Sequence, residues 1–166
     1  MHEKSIELLN KAVADEMHAV HQYMYFHFHC DDQGYDLLAS LFRRTAIEEM
    51  MHVEKLAERI LFLKGDVDLK AAYEVDKIHD VRKMLEKAAQ MEDDSAKEYN
   101  IWANESAKNN DNATKKIFEA LVDDEERHFD QYDNEIDQLK KFGDNYLALQ
   151  SIERSRSREA GGAVAE

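Results

Sequence analysis

Glu49 and His52, in the stretch Ile47-Glu48-Glu49-Met50-Met51-His52, stand three residues apart, as do Glu125 and His128 in Val122-Asp123-Asp124-Glu125-Glu126-Arg127-His128. On a helix that spacing puts both side chains on one face about a turn apart, so each pair can grip one cation. A single Glu-x-x-His is common in acidic helices. Here Glu16, Glu49 and His52 recur 76 residues later as Glu92, Glu125 and His128 (92 − 16, 125 − 49, 128 − 52), and the same step carries Tyr23 onto Tyr99. An ionised carboxylate on a buried face costs several kcal/mol unless it is paired or coordinates a metal. Four acids and two histidines at seam positions need one explanation.

The elements that must position them are long helices. The chain has 166 residues, no proline and five glycines, the composition of one domain with few loops. A first helix is expected over Ser5–Gln33 with the seam Ile6, Leu9, Val13, Glu16, Val20, Tyr23, His27, Cys30, and Gly34 caps it. A second runs from Asp36 to Lys64 through Leu38, Phe42, Thr45, Glu49, His52, Leu56, Ile60 and Leu63, with Gly65 after it. Residues 66–79 lose the periodicity and read as a crossover, long enough when extended to run beside a whole helix.

Asp80 is the expected N-cap of a third helix with the seam Leu85, Ala88, Glu92, Ala96, Tyr99, Ala103, which ends near Asn109-Asn110. The fourth starts after Asn112, with the seam Phe118, Leu121, Glu125, His128, Tyr132, Ile136, Leu139, and stops at Gly143. Two antiparallel hairpins joined by one long crossover make an all-α, ferritin-like four-helix bundle. A short fifth C-terminal helix is expected from Asn145 to about Ser157. The domain then covers 1–157, and 158–166 is expected to be a disordered tail.

The depths along the helices agree. Glu16 lies 18 residues before Gly34, and Glu49 and His52 lie 15 and 18 after it; around Asn110 the counts for Glu92, Glu125 and His128 are again 18, 15 and 18. All six side chains therefore descend to one level. Four carboxylates balance two divalent cations, and carboxylate with imidazole suits iron or manganese. The competing reading is a bundle with accidental acids, some facing solvent, but unrelated acids would share neither one offset nor one depth.

Composition narrows the function classes. The formal net charge of −14 argues against binding nucleic acid or anionic lipid. One cysteine, Cys30, excludes an internal disulfide and a four-cysteine metal centre. No stretch approaches a membrane span and the N-terminus lacks a signal-peptide run, so a soluble, cytoplasmic protein is expected.

The chain resembles bacterioferritin. The resemblance covers Leu9 to Ile152 and rests on Asp15-Glu16 with Gln22-Tyr23, on Glu49-Met50-Met51-His52 running into Glu58-Arg59-Ile60-Leu61-Phe62-Leu63-Lys64-Gly65, on Asp124-Glu125-Glu126-Arg127-His128, and on Gly143-Asp144-Asn145-Tyr146-Leu147. One Glu from each of two helices with Glu-x-x-His from the other two is the known ligand pattern of di-iron carboxylate bundles. The resemblance implies a ferroxidase (an Fe(II):oxygen oxidoreductase) with two iron ions per subunit, oxidising Fe(II) with O₂ or H₂O₂ and storing ferric mineral in a shell of 24 subunits. In it Glu49 and Glu125 bridge the irons, Glu16 and Glu92 bind one each, and His52 and His128 complete them.

The resemblance also implies haem b shared between two subunits with Met50 as axial ligand, and a small ferredoxin-type electron donor. From spacing alone Met50 points away from the seam and reads equally as interface packing. Arg44 and Thr45 depart from the His and acid that some members place on the inner wall for extra iron. Tyr23 and Tyr99 can hydrogen-bond to ligands, donate an electron, or be buried with satisfied hydroxyls. His18 and His21 are expected at a subunit contact or in solvent, and His27 in the core. The rivals are a non-storing di-iron oxidase or peroxidase, a haem-free ferritin or mini-ferritin cage, and a metal-free interaction protein.

Overall fold

A computed structural model of the chain describes residues 2–150, 152 and 156. It contains four long helices, α1 (Glu3–Gln33), α2 (Asp36–Phe62), α3 (Val81–Lys108) and α4 (Asn112–Phe142), and residues 144–150 are again helical after Gly143. No strand occurs among the described residues. The start of the expected fifth helix is present. Most of its second half and all of the expected tail, 158–166, lie outside the described residues.

The turns between paired helices use the left-handed region. Gly34 (φ 88°) closes α1, with its N–H on the Asp31 carbonyl, and Asn110 (φ 57°) sits between α3 and α4. Glycine and asparagine tolerate this region best. The two turn residues are themselves 76 apart (110 − 34), so the internal repeat extends to the backbone break. Lys64 is also left-handed (φ 64°). Next to it, a Cβ on Gly65 would lie 2.8 Å from Ile6 Cγ2, so any side chain there would have to displace Ile6 of α1.

α1 packs on α2 and α3 on α4 as two hairpins. The crossover, 63–80, runs up the side of α1. Asn10 holds the Asp66 carbonyl and the Asp68 N–H, Ala14 O accepts from Ala72 N, Gln22 pairs both ways with the Asp76 backbone, and Gln33 reaches the carbonyl of His79. From Asn10 to Gln33 is roughly 35 Å of helix at about 1.5 Å per residue. The crossover thus covers the distance needed to start α3 beside the end of α1, and Asp80 caps α3 by accepting from Lys83 N at 2.9 Å. At the far end Arg59 of α2 donates to Asp111 Oδ1, the N-cap side chain of α4, at 2.6 Å.

Two apolar cores fill the bundle. One, at the Gly34 end, holds Tyr23, Phe26, Phe42, Ala46, Ala89 and Tyr132; the other holds Val13, Val53, Leu56, Tyr99, Phe118 and Leu121. All the helix-seam residues expected in α3 and α4 are buried. In α1 the seam residues Ile6, Val20 and His27 are only half-buried, and at His27 a neighbour takes the core. Phe26 is the fully buried residue and His27 is half-buried with Nδ1 2.8 Å from the Ala39 carbonyl, because the 3.6-residue period admits either spacing after Tyr23 and the aromatic ring takes the core. His18 is also corrected. It is buried and its Nδ1 lies 3.1 Å from the Tyr73 carbonyl, so it anchors the crossover and does not face solvent.

Candidate metal centre

Between the two cores lies a polar belt. Each helix contributes from its middle: Glu16 from α1, Glu49 and His52 from α2, Glu92 from α3, Glu125 and His128 from α4, all buried. One atom from each of Glu16, Glu49, His52 and Glu125 falls within a 4.8 Å cluster, and one from each of Glu49, Glu92, Glu125 and His128 falls within a second. Glu49 and Glu125 belong to both. The six residues expected from the offset are therefore brought together as two four-residue sets sharing two carboxylates.

Six buried atoms of this belt have no hydrogen-bond partner: both oxygens of Glu49, Glu92 Oε2, Glu125 Oε1, His52 Nδ1 and His128 Nδ1. They are close without being bonded. His52 Nδ1 lies 2.8 Å from Glu49 Oε2 and 3.3 Å from both Glu16 Oε1 and Glu125 Oε1; His128 Nδ1 lies 3.2 Å from Glu49 Oε1 and 3.5 Å from Glu92 Oε2. Orphaned buried acceptors of this kind are rare and costly. Their common missing partner is a cation, and the oxygen-nitrogen donor set fits two.

Protonation in the metal-free state points the same way. Burial pushes Glu49 up to about 8, with Glu16 and Glu92 adding repulsion, and burial with Glu49 and Glu92 drives Glu125 well above the ordinary range. Burial disfavours charge on His52 and His128, but the carboxylates against them win and raise His52 to about 10 and His128 to about 11. Protons thus stand in for the absent positive charge.

The surroundings are crossed between hairpins. Tyr99 donates to Glu16 Oε1 at 2.5 Å, and Tyr23 donates to Glu92 Oε1. His52 Nε2 lies 3.1 Å from Asp124 Oδ2 and His128 Nε2 lies 2.8 Å from Glu48 Oε2. A carboxylate on Nε2 holds the proton there, so that Nδ1, once it gives up its own proton, turns its lone pair to the belt. Sequence reasoning missed Glu48 and Asp124 in this role. The signal was present, because they too are 76 apart (124 − 48) and each directly precedes a Glu of the belt.

Access differs by side. A cleft of about 590 Å³ between α1, α3 and the crossover is lined by Asp15, His18, Tyr73 and Glu98 with Lys11, Lys87 and Lys97, and reaches Tyr23, Glu92 and Glu125. Asp15 in this lining is raised to about 7, by burial first and then by Glu98 and Glu16. On the opposite, α2/α4 side, Arg127 pairs with Glu48 and with Asp124.

The other candidates scatter. Met50 is 48% exposed and Met51 52%, on the outside of α2. Thr45 is buried and donates to the Leu41 carbonyl at 3.1 Å, while Arg44 is exposed, so these two form no pair on a common wall. No helix among the described residues is long and apolar enough to cross a membrane.

Residues 6–142 match the ferritin-like domain family. Among curated proteins, a bacterioferritin of Desulfovibrio desulfuricans is 37% identical over 145 residues, 87% of this chain and 81% of its own. One of Brucella melitensis is 35% identical over 141 residues, covering 85% and 88%. Among solved structures, D. desulfuricans bacterioferritin, described with its diiron site in different catalytic states, superposes with a TM-score of 0.87 at 36% identity, covering 89% of this chain and 86% of that one. Rhodobacter capsulatus bacterioferritin, with a metal-free dinuclear site and a haem iron in a crystallographic special position, gives 0.85 at 34% identity, covering 89% and 92%.

Proposed function

This chain belongs to the ferritin-like family and to the bacterioferritins within it, and from that premise we propose that it is a ferroxidase that oxidises Fe(II) and stores the ferric product in a 24-subunit shell. The observation that carries the reading is the set of orphaned buried atoms between two shared carboxylates. Glu16 with His52 would hold one iron, Glu92 with His128 the other, and Glu49 with Glu125 both. Two Fe(II) ions bound there supply the electrons that reduce O₂ or H₂O₂.

The chain's own residues do the rest. Fe(II) reaches Glu92 and Glu125 along the α1/α3 cleft, where Asp94 and Glu98 offer carboxylates among Lys11, Lys87 and Lys97. Binding displaces the protons that Glu49, Glu125, His52 and His128 hold. Asp124 and Glu48 keep the imidazoles aimed, Tyr23 holds the second oxygen of Glu92, and Tyr99 holds Glu16 Oε1. The flanking apolar cores keep bulk water from the belt.

Met50 would give its sulfur to a haem b iron at a two-fold contact with a second copy. The half-exposed methionine on a stripe with Leu61 supports this, as does the haem of the R. capsulatus relative. Release of stored iron would then draw on a small ferredoxin-type donor, in the cytoplasm.

The test is Fe(II) addition in air to metal-free protein, followed by light scattering. A fast phase that ends at two irons per chain, on a particle of about 24 subunits, is expected. A fast phase on a monomer or dimer would favour a non-storing oxidase. No fast phase would remove the ferroxidase reading.

A further inference from the structure

The two sides of the metal belt end differently, and the difference turns on one residue that the internal repeat does not supply. Stepping back 76 from Arg127 gives Met51, an exposed hydrophobe, so only one half carries a guanidinium (127 − 51). That single group serves both halves. The same nitrogen, Nη2, bonds Glu48 Oε2 and, at 3.3 Å, Asp124 Oδ1. Glu48 Oε2 also takes the Nε2–H of His128 at 2.8 Å, and the other oxygen of Asp124 takes that of His52 at 3.1 Å.

Two carboxylate oxygens that reach one nitrogen are close enough to share one cation. They stand on helices from opposite hairpins, directly outside two imidazoles whose inner nitrogens face the belt. With the imidazoles neutral on two bound metals and Arg127 removed, they would be two facing carboxylates with no countercharge between them, a repulsive arrangement that a divalent ion relieves.

We propose that Arg127 is a built-in cation that occupies the place of a third metal ion between Glu48 and Asp124, holding the centre to two metals and clamping both carboxylates onto the ligand imidazoles. Arg127 is a positioning and specificity-determining residue, acting through Glu48 and Asp124. It makes the α2/α4 side a closed wall, opposite the open α1/α3 cleft. The proposal rests on the two-metal reading of the belt.

The experiment is anaerobic titration of the metal-free assembly with Co(II), read by calorimetry for stoichiometry and by visible absorption for the ligand field. Wild-type protein is expected to bind two ions per chain. Arg127→Ala is expected to bind three, with the first two weakened by about 10-fold as the imidazoles lose their clamp. Arg127→Lys, which restores a point charge, is expected to return to two. Arg127→Ala with Glu48→Gln and Asp124→Asn should lose the third ion again.

Two ions in Arg127→Ala, with wild-type affinity and spectrum, overturn the proposal while leaving the two-metal centre intact. A third ion that persists in the triple variant also overturns it. Wild-type protein that binds no Co(II) overturns the two-metal reading itself. If Arg127→Ala does not assemble, Arg127→Gln, a shorter polar side chain that keeps an N–H donor but not the charge, decides the same question: three ions support the proposal and two overturn it.

Discussion

The two hairpins are alike at their centre and unlike at their outer faces. Glu16, Tyr23, Gly34, Glu48, Glu49 and His52 of the first correspond to Glu92, Tyr99, Asn110, Asp124, Glu125 and His128 of the second, at one constant step. On the outer faces beside the belt the match ends: Met50 and Met51 fall on Glu126 and Arg127. In the two-metal reading the interior must be equivalent, because two like cations would share Glu49 and Glu125 and unequal halves would leave one of them underliganded. The outer surfaces meet different surroundings and carry no such requirement. One presents half-exposed methionine sulfur; the other presents charge that locks the wall.

The largest effect should test the equivalence itself. Glu49→Ala with Glu125→Ala removes both shared carboxylates, and the fast phase of Fe(II) oxidation, followed by stopped-flow absorbance, should fall by more than about 100-fold, beyond the range seen for outer partners. Glu16→Ala and Glu92→Ala should each cost one metal and reduce the rate to a similar degree. If one of them is nearly silent, the halves are similar in structure but unequal in use.

The sequence reveals the equivalence more readily than the asymmetry. A helix seam predicts which residues lie inside, and a constant offset predicts which interior polar residues act together. Every expected residue of the belt is indeed buried at one level between the two cores. Glu48, Asp124 and Arg127 lie beside ligands in the chain but on the half-exposed flank, where an acidic helix has many similar residues. Their partners are on another helix, and cross-helix distance is not written in spacing. His18 escaped for a related reason: its partner is a carbonyl of the aperiodic crossover, whose path no period predicts.

The outer asymmetry is tested by Met50→Leu and Met51→Leu. Met50→Leu should abolish the Soret band of the purified assembly and leave the fast oxidation phase within about twofold, because the side chain lies outside the belt and the swap conserves volume. Met51→Leu should keep the haem. A Soret band surviving in Met50→Leu would place the axial ligand elsewhere and reduce that face to packing.

A smaller effect concerns pH and the metal-free protein. Glu49, raised to about 8 from 4.5, and His52 and His128, raised to about 10 and 11 from 6.5, all hold protons more tightly when folded. Their contribution to stability is therefore complete below the unfolded values and is lost as pH rises through about 8 and on through 10 and 11. Thermal melts of metal-free protein should shift downward by several degrees from pH 6 to pH 10. Saturating Co(II) should restore the loss, since the ion replaces the protons. A melting temperature that rises over this interval would contradict the charge bookkeeping of the belt.

The smallest effect returns to the matched interior. Tyr99→Phe and Tyr23→Phe each remove one hydroxyl from a carboxylate of the opposite hairpin. In the metal-free state each variant leaves a buried oxygen without its donor, worth about 1–3 kcal/mol. Part of that penalty disappears once a metal draws charge from the carboxylate, so the loss in Co(II) affinity should be no more than about 10-fold. Because the two bonds are related by the same step of 76 (99 − 23), the two variants should lose affinity equally. They need not behave equally in oxidation. Tyr23 lines the open cleft while Tyr99 does not, and a phenol at the cleft is the better placed of the two to exchange a proton with solvent. Equal binding with a slower fast phase only in Tyr23→Phe would locate a functional asymmetry inside the belt, whereas equal rates would confine it to the outer faces.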